Sequence, residues 1–280
     1  MAEFYNAKLG LPYVDEDNRG VSREVLDTLV NNDLCWGFED PKLRAQKTAM
    51  GVDVGADYAY VTIMDVDPSN SSRKRVRHLE VIERRNKRYF DASGNPQNAF
   101  VRIRELMKEF NVGIAVIDQA PNYDQVLDMS KDMPGKVFAA NFTKGGKNVV
   151  EWGDRSYTSE GVKKSGKYRN KYHVNINRFL GLQAMYADLN SQNIIFPSYN
   201  GLRQMMRNED TGVFEPTSVI DRWFDMLPRH YKTFKITNEQ EGTGSWTWEY
   251  AGNDPHGSFS ICYSLVALER LRRQAIFTFA

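Results

Sequence analysis

Three aspartates occupy positions where a carboxylate needs a partner. Asp53 lies within a β-rich apolar run, Asp118 closes the most hydrophobic predicted strand, and Asp254 precedes the last predicted helix. An acid in an apolar strand costs free energy unless it is paired or binds a cation. Mg²⁺ prefers oxygen ligands, and two such ions about 3.5–4 Å apart can hold both oxygens of a phosphodiester displacement. The three acids therefore predict a site for two divalent cations, Mg²⁺ or Mn²⁺.

Each acid also has a structural interpretation. A single aspartate at a strand end is more often a turn former or a helix cap than a ligand, so the metal hypothesis depends on the three acids together. His256, two residues after Asp254, is a candidate ligand, outer base or capping residue. We expect Asp57 and Asp124 to serve in turns, and we expect Asp65, at the far end of its strand, to be a solvated or loop residue.

The elements that must position these acids follow from hydrophobic periodicity. Strands are predicted at 49–53, 58–66, 75–85, 112–118, 136–140, 193–197 and 246–250. Helices are predicted at 22–30, 97–110 and 122–132, after a strand within 174–190, and from a Ser258 cap to residue 273. Residues 141–172 read as one long loop, and 198–245 have no clear pattern. The element order predicts an α/β fold with a mixed central β-sheet flanked by helices.

Composition and motif searches exclude several protein classes. The 280 residues carry a formal net charge of +1, so a nucleic-acid surface must be local. Two cysteines cannot form a disulfide framework or a zinc motif. No phosphate-binding P-loop, dinucleotide fingerprint or H-E-x-x-H occurs, and the Lys144–Lys147 cluster lacks P-loop spacing. No apolar run reaches membrane-span length and the first residues lack a signal core, so we expect an intracellular protein.

Two basic clusters indicate where nucleic acid could bind. One lies on and around the predicted strand 75–85; it begins at Arg73, includes Arg84, Arg85 and Lys87, and ends beside Tyr89 and Phe90. The other lies in the long loop and at its end, without an acid among its members: Lys163, Lys164, Lys167, Arg169, Lys171 and Arg178. Lysine and arginine give salt-sensitive affinity for phosphates that does not depend on sequence. We therefore predict binding of double-stranded DNA with little sequence specificity, more strongly through the second cluster.

The chain resembles the nuclease domain of bacteriophage terminase large subunits, in the ribonuclease H-like superfamily. The resemblance rests on GVDVGADYAYVTIMDV, VGIAVID and WTWEYAGNDPHGSFSICYSLVALERL, with support from FYNAKLGLPY near the start and from residues 172–197. It implies a ribonuclease H-like fold in which Asp53, Asp118 and Asp254 hold the metals. The sequence departs from the family pattern at Pro255, between Asp254 and His256, and at Phe259, where many relatives carry another acid. No ATPase domain is found in the chain.

The resemblance implies a domain division and a function. Residues 1–46 would be an N-terminal arm or linker, and 47–280 the ribonuclease H-like nuclease domain. The function would be a Mg²⁺- or Mn²⁺-dependent DNA endonuclease that cuts concatemeric viral DNA during packaging. It would work in the host cytoplasm with a terminase small subunit and a portal protein. Alternatives are a resolvase- or transposase-like nuclease, a non-catalytic DNA-binding or assembly module, and an actin-like ATPase, which Ile117-Asp118-Gln-Ala disfavours because it lacks a glycine.

Overall fold

A computed structural model describes most of the chain. The described residues are 18–31, 46–55, 58–83, 99–145, 148–156, 171–199, 203–207, 213–238, 243–252 and 255–278. Within these ranges, the longest helices are too short or too polar to cross a bilayer.

Strands in the described ranges include every one predicted from periodicity, with some differences in length. They are β1 (Val30–Asn31), β2 (Thr48–Val54), β3 (Tyr58–Asp67), β4 (Asn70–Glu83), β5 (Val112–Asp118), β6 (Val137–Thr143), β7 (Val150–Trp152), β8 (His173–Asn177), β9 (Ile194–Pro197), β10 (Arg203–Arg207), β11 (Phe214–Ser218), β12 (His230–Asn238) and β13 (Thr243–Tyr250). Four of these strands form two separate hairpins, β10–β11 and β12–β13.

The α-helices of the described ranges alternate with these strands. They are α1 (Arg23–Thr28), α2 (Ala99–Glu109), α3 (Tyr123–Asp132), α4 (Arg178–Asn190), α5 (Val219–Met226) and α6 (His256–Thr278). Local sequence explains the start of two of them. Ser22 accepts a hydrogen bond from the Val25 N–H at the start of α1, and Asn177 accepts one from the Leu180 N–H at the start of α4.

One nine-stranded mixed sheet organises the molecule. Its strand order is β1-β9-β4-β3-β2-β5-β6-β8-β7. Strands β2, β3 and β4 form an antiparallel meander, whereas β5, β6 and β8 continue from β2 in parallel. The carboxyl ends of β2, β5, β6 and β8 therefore meet at one edge of the sheet, which we call the carboxyl edge. The predicted α/β class, with a mixed central sheet flanked by helices, is confirmed.

Two apolar layers cover the sheet. One face packs against α4, α5 and α6 and includes Tyr60, Phe138, Trp223 and Tyr263. The other face packs against α2 and α3 and includes Val52, Ile103 and Ile117. Alternation along β2 and β5 sends successive side chains to opposite layers. This alternation decides which residues can face the start of α6.

Three features differ from the sequence-based expectations. Residues 18–31 fall within the expected arm, yet Val21, Leu26 and Leu29 are buried in the core and β1 pairs with β9. The domain boundary at 47 itself stays a prediction. The expected loop 141–172 contains the edge strand β7, because Val150 and Trp152 pack against the first apolar layer. Ser258 does not cap the last helix, which begins at His256.

Candidate active site

Asp53 and Asp118 lie side by side at the carboxyl edge. In the parallel pairing of β2 with β5, Val52 is the register partner of Ile117, so the next residues are Asp53 and Asp118. Val52 and Ile117 point into the layer under α2 and α3. The two aspartates therefore point to the opposite face, toward α6, from strands spaced about 4.8 Å apart.

The two acids interact electrostatically. Asp53 is almost fully buried, with 1% of its surface exposed. Burial, and then the negative charge of Asp53, raise the pKa of Asp118 to about 7. The Ala120 N–H, 3.2 Å from Oδ1 of Asp118, and the charge of His256 act in the opposite direction without cancelling the effect. Two neighbouring carboxylates that cannot both ionise easily form a donor set that suits a hard cation.

His256 joins this pair from the start of α6. Its Nδ1 forms a hydrogen bond with Oδ2 of Asp53. Its ring stacks on Tyr60, with ring centroids 5.6 Å apart and an interplanar angle of 23°. The first turn of a helix also presents unpaired N–H groups and a partial positive charge, which favours a nearby carboxylate.

Two glycines allow α6 to approach the acids closely. A Cβ atom on Gly51 would lie 2.1 Å from the Ser260 carbonyl oxygen and 2.2 Å from the Ser264 nitrogen, so only glycine lets α6 cross β2 here. A Cβ atom on Gly55 would lie 2.7 Å from Nε2 of His256. The sequence Gly51-Val-Asp53-Val-Gly55 thus places a helix backbone and a histidine beside a buried acid.

Ser260 anchors the first turn of α6. Its hydroxyl donates to the Gly257 carbonyl at 2.9 Å, lies 2.7 Å from the Thr62 hydroxyl, and accepts from Nε1 of Trp223 at 3.3 Å. One hydroxyl can donate once and accept twice, so these contacts use its full capacity. The arrangement connects α6 to β3 and α5 and thereby positions His256.

Not all predicted site residues can be placed. Asp254 and Asp57 lie outside the described residues, as do Arg84, Arg85, Lys87, Lys163, Lys164, Lys167 and Arg169. Of the second basic cluster only Lys171 and Arg178 are described; Lys171 is exposed, and its ammonium lies 5.0 Å from the Tyr172 ring. Asp124 is exposed in the first turn of α3. The structure thus brings together Asp53, Asp118 and His256.

The expectation that Asp65 is solvated is wrong. Asp65 is 1% exposed and pairs with Arg75 at 2.7 Å and with Arg77 at 3.8 Å across β3 and β4. Lys74 pairs with Asp188 at 2.8 Å. Three basic residues at the start of the first cluster are therefore used inside the fold.

No group of three His, Cys, Asp or Glu residues with metal-binding spacing occurs among the described residues. The described donors are two carboxylates and one imidazole that already contacts a carboxylate. These residue types fit a hard divalent cation, because a bound cation would relieve the electrostatic repulsion between the Asp53 and Asp118 carboxylates. Asp254, two residues before His256 in the sequence, would be the third carboxylate of this ligand set.

No family model and no curated protein matches this chain. Similar solved structures include large terminases and a junction resolvase. The large terminase nuclease of the thermophilic phage G20c is 12% identical, with a TM-score of 0.45, over 89% of this chain and 98% of that one. The large terminase of another thermophilic bacteriophage, in complex with ATP-gamma-S, is 10% identical, with a TM-score of 0.45, over 95% of this chain and 49% of that one. The yeast mitochondrial Holliday junction resolvase Ydc2 is 8% identical, with a TM-score of 0.33, over 90% of this chain and 89% of that one.

Two arginines stacked on aromatic rings carry weak or no sequence signals. Arg222 of α5 lies 5.4 Å from the ring centroids of both Tyr58 and Tyr60. Arg178, which the sequence placed only within a basic cluster, lies 5.1 Å from the Phe259 ring. The position of Arg222 depends on how α5 packs beside β3, which periodicity does not reveal.

Proposed function

We propose that this chain is a divalent-metal-dependent DNA endonuclease that hydrolyses phosphodiester bonds with little sequence specificity. The observation that carries the proposal is the pairing of Asp53 with Asp118 on adjacent parallel strands, with His256 hydrogen-bonded to Asp53. Asp53, Asp118 and Asp254 would hold two divalent cations, Mg²⁺ or Mn²⁺. Bound cations would supply an activated water at neutral pH and neutralise charge on the phosphodiester.

The residues of the chain have separable roles in this proposal. Asp53 and Asp118 provide negative charge at one point of the carboxyl edge. His256 orients the Asp53 carboxylate through its hydrogen bond, in the way that outer-shell partners fix metal ligands, and it is a further candidate ligand through Nε2. Tyr60 supports the imidazole by stacking.

The resemblance supplies a biological setting for the proposal. The chain would act as the nuclease part of a viral terminase and cut concatemeric DNA during genome packaging in the host cytoplasm. Its partners would be a terminase small subunit and a portal protein. A junction resolvase is the alternative substrate class within the same superfamily, and a non-catalytic DNA-binding module is the alternative without catalysis.

Supercoiled-plasmid cleavage tests the proposal directly. We expect nicking and linearisation with Mg²⁺ or Mn²⁺, none with EDTA, and loss of activity in Asp53→Asn and Asp118→Asn. Asp124→Asn, an exposed acid six residues beyond Asp118, is the matched control and should keep activity. Cleavage that persists in both site variants would refute the site, and the absence of cleavage with either metal would refute the enzyme. A four-way junction compared with its duplex arms separates the resolvase alternative.

A further inference from the structure

Arg222 and Arg178 share an arrangement that fits a phosphate ligand. Each guanidinium lies against an aromatic face, and each side chain is half-buried. Among the described residues no carboxylate lies within ion-pairing distance of either one; the acids next to Arg222, Asp221 and Asp225, both pair with Arg23 instead. Nε of Arg178 is buried without a hydrogen-bond partner in the described part of the chain.

The topology places these arginines on opposite sides of the acids. Tyr58 and Tyr60, beneath Arg222, belong to β3, the neighbour of β2. Phe259, beneath Arg178, packs edge-on against Phe142 of β6, the neighbour of β5, with ring centroids 5.1 Å apart. Because the strand order is β3-β2-β5-β6, the strands that carry Asp53 and Asp118 lie between the two arginines.

An aromatic side chain connects each arginine to an element of the candidate site. Tyr60 lies between Arg222 and His256, the hydrogen-bond partner of Asp53. Phe259 is the third residue after His256 on α6. An apolar ring at that position leaves Arg178 without an acidic neighbour from α6. Neither guanidinium forms an ion pair with a carboxylate of the described residues.

We propose that Arg222 and Arg178 bind the DNA backbone phosphates on either side of the phosphodiester held at Asp53 and Asp118. Three strand spacings separate β3 from β6, about 14 Å, which equals the axial rise of about four nucleotides at 3.4 Å each. An arginine stacked on a ring keeps its planar fork of N–H donors available for two phosphate oxygens. This assignment rests on the proposed function, and it makes the two arginines positioning residues for the scissile bond.

Salt-dependent DNA binding in EDTA tests the assignment without cleavage. We expect Arg222→Gln and Arg178→Gln each to weaken binding of a labelled 30-bp duplex and to reduce the slope of log K against log salt by about 0.9. Arg222→Lys keeps the charge and should keep the slope, which separates phosphate contact from a folding defect. Arg104→Gln is the control, because Arg104 pairs with Asp132 at 2.9 Å on the face covered by α2 and α3. Slopes unchanged in both glutamine variants would overturn the assignment.

Uncharged linkages then locate the contacts. Single methylphosphonates are placed within three nucleotides on either side of a mapped cut site. On each side of the cut site, we expect a methylphosphonate at one position to slow cleavage by the parent chain. In the variant that lacks the arginine contacting that position, the same methylphosphonate should slow cleavage no further. If the methylphosphonate and the arginine substitution instead reduce the cleavage rate independently, so that their effects multiply, the assignment is overturned even if the chain is a nuclease. If the parent chain does not cut DNA, the proposed function fails, and the salt slopes still decide whether the arginines bind phosphate.

Discussion

Asp53 and His256 are separated by 203 residues in sequence and are joined by a hydrogen bond between Oδ2 and Nδ1. The contact exists because α6 crosses β2 at Gly51 and because Gly55 leaves space for the imidazole. It connects the first strand of the meander with the last helix of the chain. The candidate site therefore depends on packing between the two ends of the domain.

Gly55→Ala tests whether His256 is held in a productive position. The new methyl group would meet Nε2 at 2.7 Å and the Tyr58 carbonyl at 3.1 Å, so the imidazole must move. We expect metal-dependent cleavage to fall by about 10- to 100-fold, the scale of a displacement of about 1 Å in an active site. Gly145→Ala is the control, since no atom of the described residues lies within 4 Å of its Cβ position. Equal activity in both variants would contradict a positioning role for His256.

Asp118→Asn should stabilise the metal-free protein at pH 8. Folding raises the pKa of Asp118 from 3.8 to about 7, so its ionised form opposes folding and stability is lost as pH rises through 7. Removing the charge should increase the free energy of unfolding by about 1–3 kcal/mol at 1.36 kcal/mol per pKa unit, with allowance for partial solvent screening. Urea unfolding in EDTA measures this change. Saturating Mg²⁺ should reverse the order, because only the parent chain gains from binding; a variant less stable in EDTA would contradict the prediction.

Ser260→Ala should destabilise the fold and loosen the first turn of α6. Loss of the Ser260 hydroxyl removes the acceptor of the buried Trp223 Nε1–H and the hydrogen-bond partner of the Thr62 hydroxyl. An unsatisfied buried polar group costs about 1–3 kcal/mol. Ser264→Ala is the control, because among the described residues the single proton of that hydroxyl is shared between the Ile261 carbonyl of its own helix at 2.8 Å and the Met64 sulfur at 3.1 Å. Thermal unfolding should show a clearly larger loss for Ser260→Ala, and equal losses would count against the anchoring role.

The strands that carry the acids are predictable because they are nearly continuous apolar runs. Asp53 and Asp118 stand out because each interrupts or ends such a run. Asp65 does not stand out in this way. Its partners Arg75 and Arg77 belong to β4, and they can be identified only once the register of β3 and β4 is known. Cross-strand ion pairs depend on register, and a bulge between Ile63 and Met64 shifts it here.

The segment 198–245 was not predictable for a related reason. Besides α5, it contains the β10–β11 hairpin, strand β12 and the first residues of β13; both hairpins lie outside the main sheet, and a two-stranded ribbon needs no continuous buried face. In β12 and β13, Phe234, Ile236 and Trp246 are 47%, 60% and 51% exposed, so apolar residues do not mark the core there. The start of α6 was missed because Pro255 and His256 resemble a turn in sequence, although proline is well tolerated just before the first helical turn.

Leu26→Ala tests whether residues 18–31 belong to the folded domain. Leu26 is fully buried in the same core as Phe196 and Phe224, although it lies in the segment expected to be an arm. We expect a loss of about 2–5 kcal/mol, as for other leucines truncated in a core. Thr28→Ala, exposed on the same helix, should change stability by less than about 0.5 kcal/mol. Chemical denaturation measures both variants, and a negligible effect at Leu26 would indicate an arm independent of the core.

His230 should make the protein sensitive to acid. Its ring is fully buried among Tyr186, Tyr250 and Phe259, and neither ring nitrogen has a hydrogen-bond partner in the described part of the chain. Burial, and then the charge of Arg178, lower the pKa of His230 from 6.5 to about 3. The folded state therefore excludes a proton that the unfolded chain accepts, and stability present above pH 6.5 is lost as pH falls toward 3.

The size of this effect follows from the difference between the two pKa values. At pH 5 the loss from His230 should be about 2 kcal/mol relative to pH 8, at 1.36 kcal/mol per pKa unit. His230→Leu removes the titration and should flatten that part of the stability profile, while carboxylates elsewhere titrate equally in both proteins. Urea unfolding at pH 8 and pH 5 gives the comparison. Parallel pH profiles for the parent chain and His230→Leu would show that the imidazole reaches solvent or a partner when it is protonated.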